Sequence, residues 1–129
     1  MAFEVPGFEF GCLNAASDLS AKQFTAVVVD SDGELDSPGS DGLMIAGVTQ
    51  NDPTSGKAVK VMKSGITKMV TNNSAILRGS KVMAKATTGR AALATGTNIV
   101  IGTALEANGS NNGALIAVLL DGPSHNALA

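Results

Sequence analysis

The apolar residues of this chain come in short runs, with glycine, asparagine, aspartate or proline at most breaks between them. Runs of four to eight residues bounded by such turn formers read as strands, and no long helix is legible between them. Phe24 to Val29 is rich in β-branched residues and forms one strand. Leu43 to Thr49 forms the next and stops at the turn Asn51-Asp52-Pro53. From Lys57 to Lys63 lysines are interspersed with apolar residues, Ser64-Gly65 bends or bulges the chain, and Ile66 to Val70 carries on. Lysines on one side of such a run predict a sheet with one wet face. Asn72-Asn73 turns the chain, Ile76-Leu77 is a short apolar pair, Lys81 to Ala84 is a further strand, and Gly89-Arg90 is another turn.

The last two runs are the most apolar. Ile99 to Leu105 and Ala114 to Leu120 flank a segment holding Asn108-Gly109 and Asn112-Gly113, left-handed turn pairs that predict a hairpin. Ile116, Val118 and Leu120 point one way and Leu115, Ala117 and Leu119 the other. A strand apolar on both faces belongs in the middle of a sheet. About eight close-set strands predict an all-β, small single-domain β-barrel or β-sandwich, or a clip-like variant of these.

Residues 1–13 stand apart. Three of the four Phe residues, Phe3, Phe8 and Phe10, lie here among Pro6, Gly7 and Gly11. This predicts an extended N-terminal arm, a core over 14–121 and a flexible tail over 122–129. Removing 1–13 is expected to leave that core folded. At 129 residues and 44% apolar content the chain can bury a core, but without Trp or Tyr it must fill it with aliphatic side chains. A single cysteine, Cys12, excludes an intrachain disulfide framework. The first residues lack the basic start and long apolar run of a signal peptide, and no run approaches the ~20 residues of a membrane span. These features predict synthesis in the cytoplasm and no membrane partner.

No constellation carries catalysis. His125, the one histidine, sits in the tail, and Cys12 and His125 do not make up a zinc ligand set. In Asp30-Ser31-Asp32-Gly33, placing Gly33 at the turn position of a calcium loop puts Val28 and Gly39 where the terminal ligands belong. Asn51 to Ala58 fails as a phosphate loop at both ends. Val61-Met62-Lys63 is followed by Ser64, where a biotin- or lipoyl-carrier hairpin has Met. The expected cofactors and metals are therefore none. Residues 53–105 have no aromatic side chain for base stacking, so no nucleic-acid partner is expected either.

Charge is segregated. Residues 1–52 carry Glu4, Glu9, Asp18, Asp30, Asp32, Glu34, Asp36, Asp41 and Asp52 against Lys22, whereas 53–105 carry only basic charges, from Lys57 to Arg90. Such a split can steer one subunit onto another.

The blocks Ile45 to Pro53, Ala58-Val59-Lys60-Val61, Ser64 to Lys68, Gly79 to Val82, Gly102 to Glu106 and Ile116 to Leu120, in that order, resemble the capsid decoration, or cement, proteins of tailed bacteriophages. The resemblance implies a structural, non-enzymatic protein on the outer surface of the virion head. It would stabilise the mature capsid by bridging major capsid proteins, with a homotrimer as the favoured state. On that reading Phe3, Val5, Phe8 and Phe10 are the capsid-binding residues of the arm. Lys57, Lys60, Lys63 and Lys68 would meet Asp30, Asp32 and Glu34 across subunit interfaces. The competing expectation is a β-rich tail or fibre accessory module that binds a surface ligand.

Overall fold

The computed structural model describes residues 4–72, 75–109, 113–120 and 124–125, and among these there are strands and turns but no helix. The strands are β1 (Val5–Pro6), β2 (Glu9–Asn14), β3 (Ala26–Val29), β4 (Leu35–Asp36), β5 (Gly47–Thr49) and β6 (Ala58–Met62), then β7 (Gly65–Val70), β8 (Ala75–Ile76), β9 (Lys81–Ala84), β10 (Ala91–Leu93), β11 (Ile99–Val100), β12 (Gly102–Ala104), β13 (Asn108–Gly109), β14 (Leu115–Leu120) and β15 (Ser124–His125). One sheet runs β2-β6-β5-β3-β4 and the other β1-β7-β14-β12-β9-β10, with β8–β13 and β11–β15 as separate two-stranded ladders. All these strand pairs are antiparallel.

The expected strands are present with local differences. On β6, Val59 and Val61 are buried while Ala58 and Lys60 are exposed, the alternation the sequence predicts. β14 lies between β7 and β12 as expected of a central strand, with Ile116, Ala117 and Val118 buried, but its second apolar face is only partly covered, since Leu115 is exposed and Leu119 half-buried. β12 and β14 pair as the predicted hairpin, Thr103 opposite Leu119, but Asn108–Gly109 pairs with β8 instead of making a tight turn. The Leu43–Thr49 run is strand only from Gly47, and Leu43 and Met44 are exposed.

The two sheets are copies of one design. In order of sequence, the strands of the first unit are β2, β3, β4, β5 and β6, and those of the second β7, β9, β10, β12 and β14. Each unit places its first strand beside its fifth, then the fourth, second and third. Each sheet curls until its first and third strands meet at a single parallel bridge, Ala15 with Leu35 and Thr71 with Ala91. The ladder registers match pair for pair. Val48 faces Met62 as Thr103 faces Leu119, and Val27 faces Gly47 as Val82 faces Gly102. Backbone hydrogen bonds recur at the same places. The Gly56 N–H donates to Ala15 and the Gly113 N–H to Thr71, while the Phe24 N–H donates to Thr49 and the Gly79 N–H to Ala104. Left-handed backbone recurs too, at Phe24 and Gly79, Gly33 and Gly89, and Gly56 and Gly113.

Matching positions build matching interiors. Val27, Leu35, Val59 and Val61 belong to the core cluster of the first unit, onto which Phe10 and Leu13 pack. Their counterparts Val82, Ala91, Ile116 and Val118 belong to the larger cluster. That cluster also takes in Ala26, Val48 and Met62 from the outer face of the first sheet. The second unit's core thus runs on into the junction between the units.

Residues 5–13 of the segment expected as an arm are built into both sheets through β1 and β2. β1 pairs with β7 and β2 with β6, with a bulge between Phe10 and Leu13. A Cβ on Gly7 would lie 2.5 Å from the Ser64 carbonyl oxygen, so the chain passes there in backbone contact with the β6–β7 link. The tail lies largely outside the described residues, with Ser124–His125 paired to Ile99–Val100.

Candidate interaction surfaces

The N-terminal segment presents one aromatic side chain outward and turns another inward. Phe8 is 60% exposed, held by its N–H donating to Ser64 Oγ at 3.1 Å and its carbonyl accepting from the Lys63 N–H at 2.8 Å. Its ring lies 6.1 Å from that of Phe10, which packs against the first core. Val5, on β1, is 53% exposed. Of the four residues expected to anchor the arm, Val5 and Phe8 are surface groups and Phe10 is a core-packing group, while Phe3 lies outside the described residues.

Asp30, Asp32 and Glu34 form the turn between β3 and β4, with one carboxylate oxygen of each within 4.8 Å of the others. Asp30 Oδ1 accepts the N–H groups of Asp32 and Glu34, both at 2.9 Å, which makes this carboxylate a turn-building group. The counterpart turn in the second unit, between β9 and β10, carries Lys85 and Arg90 where the first has Asp30 and Glu34.

The four lysines grouped with this acidic turn in the sequence reading are not gathered in one place. Lys60 pairs with Glu9 at 3.5 Å, Lys63 donates to the Ile45 carbonyl at 3.3 Å, and Lys68 stands over the Phe24 ring at 5.6 Å. Lys57 is exposed beside the Gly56 turn. The sequence reading missed Asp41, which ties the units together by accepting from Lys85 Nζ at 3.1 Å and the Ala86 N–H at 2.8 Å. The Ala86 hydrogen bond, followed by that of Lys85, holds the Asp41 carboxyl below its usual range. Asp41 sits in a polar Ser-Pro-Gly-Ser-Asp-Gly loop whose composition predicts a loop but not its partner.

A shallow cleft at the seam between the units is lined by Ala21, Lys22, Thr25, Thr88 and Arg90. Lys22 Nζ is already engaged there by Ser37 Oγ at 2.7 Å and the Thr87 carbonyl at 2.9 Å. Its ammonium group fastens the seam.

Compared with known proteins, residues 13–120 match a family model described as phage cement protein. The structure is similar to that of the head fiber gp8.5 N base in bacteriophage phi29, with a TM-score of 0.63 and 20% sequence identity, over 88% of this chain and 93% of that one. No curated protein sequence matches the chain significantly.

Proposed function

The chain belongs to the phage cement protein family, and we propose that it binds the outer surface of a tailed-phage head and stabilises the mature capsid by bridging neighbouring major capsid proteins. A capsid-associated structural role follows from the family. The outer face, the major capsid protein as partner and a homotrimeric state are the finer parts of this reading, as is the absence of any catalytic step. The family match over residues 13–120 carries it. A protein that binds only the mature shell stabilises that shell by mass action, and contacts to several capsid subunits at once add avidity.

Phe8, with Val5 beside it, is the proposed capsid contact. A large aromatic group exposed on backbone that is clamped by Ser64 can fill a pocket at little cost in ordering. Electron microscopy of heads with and without the protein tests the assignment. Added density on the capsid faces is expected, and density confined to the tail would reject it in favour of a tail or fibre module. Substituting Phe8→Ser should leave the melting temperature within a few degrees and release the protein from heads. Unchanged head affinity would remove Phe8 from the contact.

A further inference from the structure

The junction inside the chain joins unlike surfaces. On the outer face of the first sheet, Met62, Val48 and Ala26 stand in one row across β6, β5 and β3 and are buried against the second unit. The second unit covers that face with its β9–β10 turn and the end of β9. The Ala26 N–H donates to the Gly89 carbonyl at 2.7 Å, the Gly42 N–H donates to the Ala84 carbonyl at 3.0 Å, and Ala84 is fully buried. A Cβ on Gly89 would lie 2.3 Å from the Ala26 carbonyl oxygen.

Both partners of this contact have counterparts that are not closed in the same way among the described residues. The row matching Met62, Val48 and Ala26 is Leu119, Thr103 and Lys81, which extends to Ile66 on β7. Leu119, Thr103 and Ile66 are half-buried and Lys81 is exposed. The counterpart of the buried Ala84 is Val29, which is 53% exposed. The counterpart of the tightly packed Gly89 is Gly33, around which a Cβ would meet nothing within 4 Å. The charges are complementary, since Asp30, Asp32 and Glu34 surround the open turn and Lys81 ends the open row.

We propose that a second copy of this chain closes both surfaces by repeating the inner junction head to tail. The Val29–Glu34 turn of one protomer docks on the Lys81, Thr103 and Leu119 row of the next. The contact is heterologous, so it closes into a ring or continues as a filament according to the rotation per step. A closed ring is the form that the proposed homotrimer would take. The proposal therefore deepens the oligomer part of the proposed function. Val5 sits at the β1 end of the same row, opposite Ile66, so the subunit contact would adjoin the capsid contact.

Charge reversal tests it. Asp32→Lys and Lys81→Glu are surface changes on opposite ends of the proposed contact. Each alone should weaken self-association by about tenfold or more in sedimentation velocity at low salt, and the two together in one chain should restore it. Single variants that assemble like the parent, or a double variant without recovery, overturn the contact. In a Cys12→Ser background, Val29→Cys with Lys81→Cys should cross-link copies to each other, in solution or on decorated heads. Cross-linking to capsid protein alone, or none in either setting, also overturns it. Head binding is read separately. Copies that associate as described yet never bind heads refute the cement role and leave this contact standing. Heads decorated normally by variants whose assembly is unchanged refute the contact alone.

Discussion

At Phe24 a bulky side chain is held at φ 63°, a left-handed conformation that costs an L-residue about 1–2 kcal/mol. Its counterpart in the second unit is Gly79, which adopts φ 87° without that cost. The strain at Phe24 is offset by what the ring and backbone join: its N–H donates to Thr49, its carbonyl accepts from Val70, and Lys68 covers the ring. Phe24→Gly and Phe24→Ala both lose the ring, but only alanine keeps the strain. The glycine variant should be more stable by about 1 kcal/mol in urea unfolding, and an equal or better alanine variant would show that the site is unstrained. Gly47 and Gly102 are a different case, short of space and not of backbone freedom. A Cβ would lie 2.3 Å from Val61 Cγ1 in one and 2.3 Å from the Leu119 carbonyl oxygen in the other. Alanine at either should cost about 1–3 kcal/mol, whereas Gly39→Ala, with nothing near it, should stay within about 0.5 kcal/mol. Asp41 adds a pH dependence of known sign. Because its folded pKa is lowered from 3.8, its contribution is present above that value and is lost as the pH falls through the lowered one. Asp41→Asn should therefore destabilise the protein at neutral pH and converge with the parent in strong acid. A gap that widens on acidification would contradict the Ala86 and Lys85 bonds as its origin.

The N-terminal strands set which truncations the fold can bear. β1 adds two residues to the outer edge of β7, and Glu4, Val5 and Gly7 are exposed, so deleting residues 1–7 leaves β2 and both described cores in place. Deleting 1–13 removes all of β2 but Asn14, uncovers the edge of β6 and takes Phe10 and Leu13 from the first core. Circular dichroism melts should show a cooperative transition in the first variant and its loss in the second. A cooperative melt after deletion of 1–13 would mean that the first unit does not need its first strand. The sequence made this strand hard to see for a physical reason. Glu9-Phe10-Gly11-Cys12-Leu13-Asn14 has no β-branched residue, a glycine in its middle and a bulge, so neither propensity nor alternation marks it. β6, β9 and β14 were legible because β-branched or alternating apolar residues lie between strong turn formers. The exposure of Phe8, on which its proposed capsid contact rests, fits its legibility as an aromatic on a terminus. The inward turn of Phe10 was not legible, since it depends on which face of β2 meets Val59 and Val61.

Across the whole molecule, the duplication escapes the sequence because side chains at matched positions have diverged while backbone requirements have not. Ala26 matches Lys81 and Leu35 matches Ala91, yet Gly47 with Gly102 and Gly56 with Gly113 stay glycine where a Cβ would clash or φ is positive. Those glycines, each at or two residues before the start of a strand, are the trace that a search for repeats could use. The acidic stretch falls within the first unit, whereas the basic stretch begins at that unit's last strand, with Lys57 and Lys60, and runs through much of the second. Part of that charge is spent inside the chain at Lys85 and Asp41, which is why a simple pairing of acidic with basic stretches across subunits could not be read from composition. The duplication also bears on cooperativity. The larger cluster draws Ala26, Val48 and Met62 from the first unit and Val82, Ile116 and Val118 from the second, so the second unit has no complete core of its own. The whole chain should unfold in a single transition, with equal calorimetric and van't Hoff enthalpies. Residues 65–120 made alone should show no cooperative melt, and adding residues 1–64 should restore one, because the outer face of the first sheet then closes the open side of that core. Two separate transitions in the intact chain, or a cooperative melt from 65–120 by itself, would mean that the units are independent domains. The junction would then be a docking surface and not part of a shared core.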